Sequence, residues 1–195
     1  MQFVNIHTHK PTGRHIELPG AGVHPWRAGE GLTPEVLEEM TRAAIIGEIG
    51  LDFPCSVPRH VQVELFKEQL QIALRLNKPV VLHCVKAFEP LMEILREYDL
   101  RAVIFHGFIG SPQQARQALD RGYWLSFGPR TFRSPKTIAA LQATPLQRLF
   151  LETDDAEVTI EEVYQRAAAL KGITVDELQA ATLENCKYIF YDDER

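Results

Sequence analysis

The feature that most constrains this chain is an alternation of two periodicities. Short apolar, β-rich runs ("FVNIHTH", "GAGVHP", "AIIGEIGLD", "PVVLHC", "AVIFHG", "YWLSFG" and "LFLETD") are separated by longer stretches with helical spacing. Strands that are apolar along most of their length are buried on both faces, and the intervening helices supply the cover, so the pattern predicts an α/β fold with a parallel sheet. Helices are expected to begin near Thr33, His60, Lys86, Ser111 and Ser134, with two more over 159–171 and 174–190. "TPEVLEEMTR" and "SPQQARQALDR" each put Ser or Thr at the N-cap and Pro at the first helical position, where its missing N–H costs nothing.

The strand ends carry the chemistry. In "NIHTH" the two histidines stand two apart, so on a strand His7 and His9 point to one face. Further runs finish on His24, His83, His106 and Asp154, and "IIGEIGLD" carries Glu48 and Asp52 in the same relative place. Each alone reads as well as a hydrogen-bonded strand end; repetition over separate strands reads as a site, because function in parallel α/β folds sits at the C-terminal ends of the strands. Histidines with Glu and Asp form a nitrogen–oxygen donor set suited to Zn²⁺, Mn²⁺, Fe or Ni, and less naturally to Mg²⁺. Four histidines with one Glu and one Asp make six ligands, more than one tetrahedral ion takes, so two divalent ions activating a shared water are expected, a chemistry that cleaves esters, phosphoesters or amides.

The remaining composition narrows the class. With 195 residues, one domain over 1–195 is expected. The three cysteines form no CxxC pair, which fits a reducing compartment. No apolar run approaches the roughly 20 residues that span a bilayer, no membrane contact is expected, and with no export signal read at the start the cytoplasm is the expected location. A net charge of −5 argues against wholesale phosphate neutralisation, so any nucleic-acid contact is local.

"NIHTH", "AGVHPW", "GEIGLDF", "PVVLHC", "IFHGFIGS" and "LETDDA", in this order, resemble the motifs of the TatD family of metal-dependent deoxyribonucleases, within the amidohydrolase-like metallo-hydrolases. The likeness extends through "LFKEQLQIALRLNKPVVLH" to "TLENCKYIF". It implies a TIM-barrel-like fold and DNA as the substrate class. It also implies one ion on His7, His9, Glu48 and Asp154 and another on Glu48, His83 and His106, with Glu48 bridging and Asp154 positioning or deprotonating the attacking water. His24 reads as a substrate contact or a support to the ligands, with packing an equal alternative.

Departures from the family pattern are specific. Asn5 stands where the family usually has Asp, and Val85 and Lys86 follow "LHC" where it commonly has Arg then Asp, so Lys86 is left as a point charge without a guanidinium fork. Arg130 and Arg133 in "GPRTFRSPK" are the best phosphate-contact candidates. Only ten residues, Lys10 to Pro19, separate His9 from Gly20, and a parallel crossover needs a dozen or more. A distorted, shortened barrel is therefore expected, with about seven parallel strands, one βαβ unit missing near the N-terminus, and "HIEL" partly filling its place. A small-molecule amide or ester hydrolase, and a metal-binding protein without catalysis, stand as alternatives to the nuclease. No stable protein partner is expected.

Overall fold

The computed structural model describes residues 2–191. The chain divides into two compact units, Pro19–Phe105 and the pair of segments Met1–Leu18 and His106–Arg195.

In Pro19–Phe105, four parallel strands pair in chain order: β1 (Gly20–Ala21), β2 (Ile45–Asp52), β3 (Val80–Val85) and β4 (Val103–Phe105). Helices α1 (Pro34–Arg42), α2 (Arg59–Leu76) and α3 (Phe88–Leu95) connect them, which is the βαβ crossover that parallel pairing demands. Ile45, Ile46, Ile49 and Leu51 of β2 and Val80, Val81 and Leu82 of β3 are all buried, as expected for strands covered on both faces. The β2–β3 register shifts between Ile46 and Ile49, so that one extra residue is accommodated on β2 around Glu48. Beyond it Gly50 lies opposite His83 with φ +142°, and a β-carbon there would stand 2.0 Å from the His83 carbonyl oxygen. Only glycine fits.

The other unit holds α4 (Pro112–Asp120), β5 (Trp124–Phe127), α5 (Pro135–Ala143), β6 (Leu149–Leu151), α6 (Ile160–Lys171) and α7 (Val175–Phe190), with β5 and β6 parallel. The two caps read from sequence are realised, the hydroxyls of Thr33 and Ser111 accepting from first-turn amides of α1 and α4, and those of Ser134, Thr159 and Thr174 do the same for α5 to α7. Lys171 closes the far end of α5, donating to the carbonyls of Leu141, Gln142 and Thr144; Lys78 does the same for α1 through Met40, Thr41 and Ala43.

The first run departs from expectation. "FVNIHTH" forms no strand ladder; it makes two isolated parallel bridges, Val4 with Ile16 and Thr8 with Asp154. Six strands are thus formed among the described residues rather than seven. Ile6 N–H donates to the Leu151 carbonyl on one side and Asn5 N–H to Ile16 on the other, so the segment has neighbours but too few pairings on either. Its anchor is instead the buried Tyr164 hydroxyl, 2.9 Å from the Val4 carbonyl and 2.7 Å from Thr182 Oγ1. No helix forms between Lys10 and Pro19, and Ile16 of "HIEL" makes the single bridge that partly fills the missing strand's place.

No helix among the described residues is long and apolar enough to cross a membrane. The three cysteines are free, and burial pushes the Cys186 thiol up to about 11. Gly50→Ala is expected to destabilise the protein by about 2 kcal/mol or more in urea unfolding, since it sets a β-carbon against backbone and an L side chain at positive φ; a midpoint equal to wild type would show that β2 and β3 tolerate a wider spacing.

Candidate metal centre

Each unit brings its own cluster of candidate ligands together. In the unit containing the N-terminal segment, His7, His9 and Asp154 offer ligand atoms that all lie within 4.8 Å of one another. The Thr8–Asp154 bridge makes this possible: Asp154 N–H donates to the His7 carbonyl at 3.1 Å and His9 N–H to the Asp154 carbonyl at 3.0 Å. Asp154 itself adopts φ +53°, a left-handed conformation that Asp tolerates better than most residues. His7 Nε2 and His9 Nε2 face the same carboxylate oxygen from 3.7 and 3.5 Å. Both exceed a hydrogen bond, and two atoms bound tetrahedrally to one ion at about 2.1 Å stand about 3.4 Å apart, so the donor set and spacing fit a divalent metal. His9 is half exposed.

His106 ends the same unit's set, with its ring 4.4 Å from that of His7. His106 Nδ1 lies 3.2 Å from Oε1 of Glu152, whose other oxygen accepts from Ser126 Oγ. Glu152 is wholly buried. Burial works to raise its carboxyl, yet the charges of His106 and His7, with the bonds from His106 and Ser126, outweigh that and hold it below the ordinary carboxylate range. Glu152 is not legible in the sequence, because "LFLETD" reads as a strand end whose functional residue is Asp154.

In Pro19–Phe105, His24, Glu48 and His83 form another such group. The β2 irregularity sets Glu48 where Oε1 stands 2.6 Å from His83 Nδ1 and 3.3 Å from His24 Nε2. The opposite nitrogen of His83 is 2.9 Å from Asp52 Oδ2, which also accepts from the Trp26 indole at 2.7 Å. Carboxylates thus face both ring nitrogens of His83, and a metal ion bound between Nδ1 and Glu48 would leave the Nε2 proton to Asp52. The strand ends are held by α2: buried Gln62 makes a two-way amide pair with the Asp52 backbone, and buried Gln69, two turns on, does so with Val23. Neither glutamine is recognisable as a positioning group from sequence, where both read as polar positions on a helix.

Of the substrate candidates, Lys86 follows β3 with φ +50°, and Arg130 and Arg133 are exposed in the 3-10 turn Pro129–Arg133 after β5. His24 is brought to Glu48 and also accepts from the Trp26 backbone N–H at 3.2 Å, capping the 3-10 turn Pro25–Glu30.

Comparison with known proteins places this geometry. A family model described as "TatD related DNase" matches residues 13–191. An uncharacterised metal-dependent hydrolase of Bacillus subtilis, YabD, is 33% identical over 169 residues, 76% of this chain and 66% of that protein. The human deoxyribonuclease TATDN3 is 30% identical over 205 residues, 89% of this chain and 74% of its own. The crystal structure of YJJV, a TatD homologue from Escherichia coli K12, superposes with a TM-score of 0.79 at 29% identity, covering 90% of this chain and 77% of that one. The fold is thus the α/β, TIM-barrel-like metallo-hydrolase fold expected from the sequence.

Glu152→Gln is expected to weaken divalent-metal binding about 10–100-fold in calorimetric titration while leaving the far-ultraviolet circular dichroism unchanged, because His106 loses its charged partner. Unaltered affinity would reduce Glu152 to a packing role.

Proposed function

The chain belongs to the TatD-related DNase family, and from that premise we propose that it hydrolyses phosphodiester bonds of DNA with a water activated by two divalent ions. The observation that carries the reading is the presentation of His7 and His9 to one oxygen of Asp154, a mixed nitrogen–oxygen set at metal-sharing distance. His7, His9, Glu48 and Asp154 would hold one ion and Glu48, His83 and His106 the other, the donor set suiting Zn, Mn, Ni or Fe better than Mg. Bound ions would supply an acidified water and charge neutralisation at the phosphoryl group.

The chain's own residues do the rest. Asp154, locked by its left-handed backbone and two main-chain bonds to the first segment, orients the nucleophile and takes its proton. Asp52 and Glu152 orient His83 and His106. Lys86, Arg130 and Arg133 are the cations for substrate phosphates, with His24 beside Glu48 as a further substrate contact. DNA is taken as substrate because the human relative is named a deoxyribonuclease. A cavity of about 320 Å³ beside Thr153 is lined by Lys10, Arg14, His15, Glu17 and Glu161 and by none of the candidate metal ligands, so it does not set the size of the substrate at the metal centre.

Chelation is expected to abolish hydrolysis of an oligodeoxynucleotide, and Zn²⁺, Mn²⁺ or Mg²⁺ to restore it, measured by gel. Asp154→Asn is expected to leave the fold intact and lower kcat about 10²–10⁴-fold; near-normal turnover would make Asp154 a ligand only. Turnover of carboxylester or amide substrates without phosphodiester cleavage would favour the small-molecule reading, and metal binding without any turnover a protein whose catalysis is lost.

A further inference from the structure

We propose that Trp26 is a fixed platform on which a nucleobase of the substrate stacks. The inference rests on the nuclease reading and adds to it a residue that recognises the base rather than the phosphate.

Trp26 is 63% exposed, an unusual position for an indole. Its place is set by polar ties. The indole N–H donates to Asp52 Oδ2 at 2.7 Å, and Asp52 is itself buried and bonded to His83. The Trp26 backbone N–H is held by His24 Nδ1 at 3.2 Å, and the ring sits edge-to-face with His24 at 4.7 Å and with His83 at 6.3 Å. The side chain is thereby immobilised while most of its surface remains in water. An aromatic ring already held in one orientation loses little entropy on binding, which is what a recognition surface needs.

The occupant follows from the surroundings. The other exposed large apolar side chains of this unit, Leu37 and Leu74, lie on α1 and α2 rather than on the loops after the strands, so Trp26 is a single ring and not part of a broad apolar face. One residue past Asp52, Phe53 carries the exposed Arg59 guanidinium over its ring at 4.5 Å, a cation on the same stretch of chain. One flat ring, a tethered positive charge and imidazoles within ring-contact distance match a planar base attached to an anionic backbone. Stacking needs a free base face, so the platform selects unpaired nucleotides, as in single strands and frayed ends.

The test compares two cleavage-resistant probes on the metal-loaded enzyme: a phosphorothioate hexathymidylate and an abasic phosphorothioate strand of equal length. Wild type is expected to bind the base-bearing strand about tenfold more tightly, within the range that stacking one base on an aromatic ring provides. Trp26→Phe, which keeps a ring, should retain most of that preference; Trp26→Ala should bind both strands equally while holding its full complement of metal. Equal binding of both probes by wild type, or a preference that survives in Trp26→Ala, would overturn the proposal. Loss of metal together with both strands in Trp26→Ala would overturn it too, leaving Trp26 as a support for Asp52 alone. Failure of wild type to bind either strand would overturn the nuclease reading and this proposal with it.

Discussion

The closeness of β2 to β3 governs what the Pro19–Phe105 unit can offer a metal. Where Gly50 faces His83 there is no room for a side chain, and it is this contact that brings the two strand ends into register. The extra residue accommodated around Glu48, a few positions earlier, then changes which β2 residue meets His83. Without the bulge, the alternation of a regular strand would carry Glu48 to a different pairing position. The motif "GEIGLD" is thus a backbone device as much as a ligand motif: glycine for approach, glutamate at the irregularity, aspartate at the strand end.

A shared arrangement runs through the candidate ligands. His83 has Asp52 on one nitrogen and Glu48 on the other; His106 has Glu152, and Glu152 has Ser126. Each imidazole is oriented by a buried carboxylate that is itself hydrogen-bonded, so neither ring is free to rotate away from its position. The cost of burying these carboxylates is offset by the cations and donors around them, which is why Glu152 stays ionised despite complete burial.

Much of this was legible in the amino-acid sequence because it is local. Helix starts at Thr33, Ser111, Ser134, Thr159 and Thr174 are read from a residue and its successors, and the helices begin there. Strand-end histidines are equally visible, since the end of an apolar run marks the position. What escaped depends on partners remote in sequence. Glu152 acquires its meaning from Ser126 and His106, Gln62 and Gln69 from the backbones of Asp52 and Val23 that they bond, and the first run fails as a ladder because its neighbours supply one bridge each. Periodicity reports burial; it does not report how many backbone groups of a neighbour are in reach.

The long-range tie between the first segment and β6 also has a meaning in time. Asn5 and Thr153, hydrogen-bonded to each other on both sides, are 148 residues apart, whereas the strands of Pro19–Phe105 pair with near neighbours in the chain. Contacts of large sequence separation are the last to repay their loop-closure entropy. On the ribosome, the group of His24, Glu48 and His83 has all its residues available once β3 has emerged. His7 and His9 are made before any of them, yet the group they form with Asp154 cannot assemble until that residue is made. Closure of the His7, His9 and Asp154 group therefore waits until the chain has been made through Asp154, well after the strands of Pro19–Phe105.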